Sequence, residues 1–236
     1  MVATSPQIEW SEPSFALNGA MSSAAAFFGI ISGSSLYDTA GSLGATFQKK
    51  MAKEGSYYFF ADIFTWIENK GTEFMPRRVI YTIEPGYTTL RGNARWRAFI
   101  KHQSFHDVDS FDNLNEAYEL YGLSFQQLSE PMLYVSVGKY LNRRVVDYRW
   151  DLATSVTCKI GSLKKNRIYG HGWLHYVSEH QGNILNRKDF TDYALETSVD
   201  FQNGLVAFLR YELLHDIERF AGTADNHLIL GARFKQ

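Results

Sequence analysis

A single cysteine, Cys158, in a chain of 236 residues excludes an internal disulfide and any metal cluster built on cysteine. A strong surplus of either sign of charge is missing too. Lys and Arg number 24 against 25 Asp and Glu, a net charge of −1, so no global field favours nucleic acid as a partner. No linker divides the chain, which suits one large β domain. A long hydrophobic run is also lacking. The longest uncharged stretch, Pro13–Tyr37, contains six Ser, three Gly and an Asn, and its apolar heart Ala24–Ile31 is only eight residues. That excludes a transmembrane helix, which needs about 20 predominantly apolar residues. The flanks carry Glu9 and Glu12 where a secretory signal would be basic, so no cleavable signal is visible. An exported form is read as a mature chain with a starting Met added.

What is abundant is aromatic and charged in alternation. Aromatic residues make up 15% of the chain, with 14 Tyr and 17 Phe, as expected of the interfacial girdles of membrane barrels. Residues Ala98–Phe125 and Ala207–Phe234 superpose without a gap. Ala98-Phe99-Ile100-Lys101 matches Ala207-Phe208-Leu209-Arg210, Phe105-His106-Asp107 matches Leu214-His215-Asp216, and Gly122 and Phe125 match Gly231 and Phe234. Each copy reads as strand, polar loop and returning strand. A hairpin used twice points to an all-β sheet closed into a barrel. The whole chain, 1–236, is read as one barrel domain. Residues 1–41 form an N-terminal segment serving as a plug or first strand, with Ser22–Gly33 also suited to a short helix, and 42–236 carry the barrel strands.

From Val146 to Ile160 the alternation is strict. Val146, Tyr148, Trp150, Leu152, Val156 and Ile160 share one face, and Asp147, Arg149, Asp151, Ser155 and Lys159 share the other. Fifteen residues at roughly 3.3 Å each make a strand of about 50 Å, long for a globular sheet. The strands Tyr193–Phe201 and Leu205–Leu213 repeat the pattern around Gln202-Asn203-Gly204. A two-residue turn there would set an acidic face beside an apolar one, so a three-residue loop with Gly204 in the left-handed region is predicted. The other predicted strands are Leu43–Lys49, Ser56–Glu68, Arg78–Leu90, Ala94–His102, Glu116–Phe125, Leu133–Tyr140, Arg167–Val177 and Leu228–Phe234. With one before Leu43, the total is about twelve, a closed antiparallel up-and-down membrane β-barrel. Pro85 inside a strand costs a ladder bond, and a bulge at Gly86 is predicted to absorb it.

Three features put lipid outside. The charged face carries both signs side by side, as a narrow lumen requires; the strands are too numerous for common soluble barrels; and aromatics (Tyr57, Tyr58, Trp66, Tyr140, Tyr148, Phe201, Phe234) stand near strand ends. At this point the chain resembles the bacterial outer-membrane β-barrels, with mixed-charge inner faces, Gly231-Ala232-Arg233-Phe234 in a last strand, and long acidic loops. The resemblance implies an outer-membrane location, bacterial or organellar, with lipid and small solutes or ions as partners. The lumen residues are then Arg95, Arg97, Asp147, Arg149, Asp151, His171, His175, Glu196, Asp200, Arg210 and Glu212, lining a small diffusion channel or bracing a structural barrel. His171 and His175, about 13 Å apart along a strand, are too far apart to share one metal. A soluble barrel binding an apolar ligand, and a sandwich, are the alternatives.

Strand parity places His102 and Ser104 on the outward face, near the outer membrane boundary. This His-x-Ser near a strand end is similar to the catalytic pair of outer-membrane phospholipase A and of the outer-membrane lipid A deacylase. The resemblance implies Ser104 as nucleophile on an acyl ester, His102 as base, and a polar or acidic residue about a dozen positions on as orienting group. Asn115 and Glu116 are the candidates, parity favouring Asn115. The same parity leaves Glu119 on the lipid side. Phe105-His106 departs from the family pattern, and the second copy has Tyr211 and Leu213 where His102 and Ser104 stand. The pair is therefore not part of what the hairpin needs to fold. No cofactor is expected, calcium being the exception for a hydrolase. Asp109, Asp112 and Glu218 could offer oxygen to calcium, but the His106-Asp107 and His215-Asp216 pairs are read as closing loops.

Overall fold

The computed structural model describes residues 21–32, 37–50, 55–68, 76–107, 116–141, 148–179, 189–215 and 224–235. These form twelve strands: β1 (Met21–Ser32), β2 (Tyr37–Lys50), β3 (Gly55–Glu68), β4 (Pro76–Arg91), β5 (Ala94–Asp107), β6 (Glu116–Gln127), β7 (Met132–Tyr140), β8 (Tyr148–Leu163), β9 (Asn166–Glu179), β10 (Phe190–Asp200), β11 (Leu205–His215) and β12 (Ala224–Lys235). Each pairs antiparallel with the next, and β1 pairs with β12, for example Ile30 opposite Leu230, so the sheet closes into a barrel. Residues 1–20 of the N-terminal segment lie outside the described residues; Met21–Ser32, ahead of Leu43, is thus a strand and not a helix. Its Phe27, Gly29 and Ile31 face inward and Phe28 and Ile30 outward, a period of two. Without it the ends of the sheet would be left as unpaired edges, which a bilayer does not tolerate.

The connections define two ends. At one they span residues 51–54, 92–93, 128–131, 164–165 and 201–204; at the other, 33–36, 69–75, 108–115, 141–147, 180–189 and 216–223. Short turns on the inner side and long loops on the outer side are the pattern of outer-membrane barrels. The outer wall is apolar: Leu123, Leu195 and Leu230 are 64%, 61% and 61% exposed, values that make sense only against lipid. Outward aromatics collect at two levels. Near the short turns Tyr57 packs on Tyr87 and Trp96 on Phe125, and near the long loops Tyr193 packs on Tyr211 and Tyr81 on His106. Tyr58 and Tyr140 do not belong to these girdles. Both are buried in the lumen, where their hydroxyls find acids.

The β10–β11 turn is a three-residue loop. Phe201 N–H donates to the Leu205 carbonyl at 2.9 Å, and Gly204 takes φ +83°. Pro85, by contrast, sits without a bulge. Ile83 opposite His102 and Gly86 opposite Phe99 keep one register, so the proline simply forgoes a bond toward β5. The repeat has a packing reason as well. In each copy an inward Phe lies across from a Gly, Phe99 opposite Gly122 and Phe208 opposite Gly231. A Cβ on Gly122 would come within 2.7 Å of the Phe99 ring, and one on Gly231 within 2.4 Å of the Phe208 ring.

Candidate functional site

Two sets of polar residues stand out, one inside the barrel and one on its wall. Inside, acids and bases meet across neighbouring strands because antiparallel register places them opposite each other. Glu196 lies opposite Arg210. It accepts hydrogen bonds from Arg210 and Arg233, Arg210 Nε at 3.0 Å, with its side chain only 1% exposed. The equivalent pair in the first copy is Glu84 and Lys101, Nζ to Oε2 3.3 Å, with the Tyr58 hydroxyl donating to Glu84 at 2.6 Å. Arg210 and Arg233 lie over the Phe208 ring, as Lys101 lies over Phe99. Toward the long loops His175 bridges two acids, Nε2 to Asp151 at 3.0 Å and Nδ1 to Asp192 at 3.6 Å, while His227 faces Glu212 at 3.4 Å.

Of the sequence-derived lumen residues, Asp151 and His175 meet in one buried cluster, and Glu196, Arg210 and Glu212 in another. His171 contacts Thr157 at 3.1 Å, Arg97 covers the Tyr58 ring, and Arg95 donates to Gln126 at 3.3 Å. Asp200 stands at the short-turn end of β10, and Arg149 is exposed at the long-loop end of β8. Asp147 lies outside the described residues. Sequence reasoning left out Glu84, Asp192, His227 and Arg233: alternation within a strand sets their inward parity, but the groups they meet depend on register between strands.

On the wall, His102 and Ser104 face outward on β5, as parity required. Ser104 lies between Tyr81 on β4 and Ala117 on β6, at the level of the outer aromatic girdle. His102 lies directly opposite Glu119, and its Nδ1 stands 3.7 Å from Glu119 Oε1. The carboxylate facing the histidine is therefore Glu119. Asn115 and the acidic loop residues Asp109, Asp112 and Glu218 lie outside the described residues, as does the side chain of Glu116, whose backbone pairs with Phe105. The outward parity of Glu119 was readable in the sequence; its place opposite His102 was not. Family spacing pointed elsewhere, but a partner across a ladder is fixed by loop length and register, not by distance along the chain.

A closed twelve-stranded barrel with an apolar outer wall, two aromatic girdles and a polar interior is a transmembrane β-barrel of the outer-membrane type, in contact with lipid over most of its wall. No protein-family model matches the chain, and no curated protein matches it in sequence. Solved structures do match in fold. Outer membrane phospholipase A from Escherichia coli aligns over 93% of this chain and 98% of its own, with a TM-score of 0.60 and 7% identity. The Salmonella typhi outer membrane phospholipase, a dimer with bound calcium, aligns over 95% and 94%, with a TM-score of 0.61 and 6% identity. A NanC porin aligns over 90% and 100%, with a TM-score of 0.52 and 11% identity.

Proposed function

We propose that the protein is an acyl-ester hydrolase acting on outer-leaflet lipid, with Ser104 as nucleophile, His102 as base and Glu119 orienting the base. The observation that carries this reading is the imidazole–carboxylate pair on a largely apolar wall, where Lys139 over Trp150 and His106 beside Tyr81 are further outward polar groups near the long loops. Ionisable groups facing lipid are costly, by up to about 2–4 kcal/mol at mid-depth for a cation. The hairpin does not need them, since the second copy has Tyr211 opposite Leu228 at the same place and pairs in the same register. The long-loop end supplies the reason for their position, because an ester at the outer interface lies level with the girdle.

The chemistry follows from the two ring nitrogens. With Nδ1 toward Glu119, Nε2 is left to take the Ser104 proton as Oγ adds to the acyl carbonyl. That proton then goes to the departing alcohol, and water cleaves the acyl-serine by the same route. The 3.7 Å separation exceeds a hydrogen bond, and such contacts tighten when substrate binds. Phospholipase A barrels of comparable fold are in keeping with this reading.

A second reading, a small diffusion channel or a structural barrel, is favoured by the mixed-charge lumen, with solutes or ions as its partners. Acyl release from phospholipid and lipopolysaccharide micelles by the purified protein, beside Ser104→Ala, separates the two. Turnover lost with the serine supports the hydrolase; no turnover in any lipid leaves the channel or structural barrel.

A further inference from the structure

Ser104 is flanked along its strand by two histidines, because His102, Ser104 and His106 alternate on the same outward face of β5. They lean in different directions. His102 turns to β6, where Nδ1 meets Glu119. His106 turns to β4, where its ring meets the Tyr81 ring edge-on, at 5.4 Å between centroids and 71°. In the ladder Tyr81 stands opposite Ser104, and His106 stands opposite Val79. The His106–Tyr81 contact is therefore diagonal, and it holds the imidazole against the residue that faces the serine. Along the strand, Ser104 thus stands between an imidazole facing a carboxylate and an imidazole packed on an aromatic ring.

We propose that His106 is a second catalytic residue, the donor that stabilises the oxyanion. The inference rests on the hydrolase reading of Ser104. When Oγ bonds to the acyl carbon, the carbonyl π pair moves onto oxygen, His102 takes the serine proton, and a His106 ring N–H hydrogen-bonds the new O⁻ without giving up its proton. Collapse re-forms the carbonyl, breaks the bond to the alcohol oxygen and returns the His102 proton to that oxygen. The two histidines thus have different duties set by their neighbours. His102 has a carboxylate neighbour in Glu119, while His106 packs edge-on against the Tyr81 ring.

The competing role for His106 is hairpin structure, and the repeat supplies the control, because His215 occupies the equivalent position on β11. The test compares wild type, His106→Ala, His106→Gln, His215→Ala and Ser104→Ala on phospholipid mixed micelles, with thermal unfolding and fluorophosphonate labelling of Ser104 alongside. The expected result is a fall in kcat on the order of 10²-fold for His106→Ala, with KM little changed, since that is the usual effect of deleting an oxyanion donor. His106→Gln recovers part of the rate through its amide N–H, and His215→Ala turns over like wild type. Wild-type kcat in His106→Ala, or equal losses of rate and melting temperature in His106→Ala and His215→Ala, overturns the assignment while leaving Ser104 in place. Absence of both turnover and serine labelling in the wild type removes the hydrolase reading and this inference with it.

Discussion

Glu119 faces His102 across the β5–β6 ladder, Oε1 to Nδ1 3.7 Å, on the outside of the barrel. The two side chains are 48% and 42% exposed, so lipid or water reaches both, and the pair is not a buried brace of the fold. Replacing Glu119 by Leu, the residue of the second copy, should leave the melting temperature within a few degrees of wild type. It should lower ester turnover on the order of 10²-fold, the usual share of a positioned acid–base pair. Parallel melts and rate measurements check this, and a large loss of stability with no loss of rate would contradict it.

Inside the barrel the arrangement is the reverse. Glu196 is almost fully buried and holds Arg210 and Arg233. Glu196→Ala leaves two guanidinium groups facing each other without their acid, and removing one partner of a buried pair costs about 3–5 kcal/mol. The expected outcome is a marked fall in unfolding temperature. Glu196→Leu combined with Arg210→Met should be milder than Glu196→Ala alone, because the unpaired charge is reduced. Unfolding of each variant in the same detergent measures the difference.

The same network bears on conduction. With Glu84, Asp151, His175, Glu196, Arg210 and Glu212 paired along the inner wall and projecting into the lumen, planar bilayers should record at most small, brief conductance steps from the wild type. Trimming Arg210 and Glu196 together to Ala should raise the step size. A large steady wild-type conductance would favour the channel reading of the protein.

Glycine positions offer a further check. A Cβ on Gly231 would lie 2.4 Å from the Phe208 ring and 2.7 Å from the Phe28 carbonyl oxygen, while one on Gly172 meets nothing nearer than 3.7 Å. Gly231→Ala should therefore destabilise by about 1–3 kcal/mol, the usual range for overpacking, and Gly172→Ala should be close to neutral. Adding Phe208→Leu to Gly231→Ala should recover only part of the loss, since the backbone oxygen remains.

Much of this architecture was legible in the residues. Strict alternation from Val146 onward located β8, and the need to keep apolar faces together selected the three-residue turn at Gly204. The inward and outward sets of β5 and β11 follow from the same parity. What escaped was whatever depends on pairing between strands. Pro85 was predicted to need a bulge because one strand in isolation cannot reveal that its neighbour simply leaves a bond unmade. Residues 22–33 suited a helix or a strand equally until β12 was seen to need a partner. Glu119 on the lipid side counted as an objection when read along the chain, and only the ladder turns it toward His102.

The two matching hairpins stand six strands apart in a ring of twelve, on opposite walls. One wall carries His102, Ser104 and Glu119; the other presents Tyr211, Leu213 and Leu228 at the corresponding places, with Tyr211 opposite Leu228. The second wall is thus a natural recipient for a graft. Tyr211→His, Leu213→Ser and Leu228→Glu would copy the constellation onto a backbone already spaced to receive it. On the hydrolase reading, a barrel so altered would treat the surrounding leaflet from two sides, and the original wall could be silenced to ask how little of the molecule that chemistry requires.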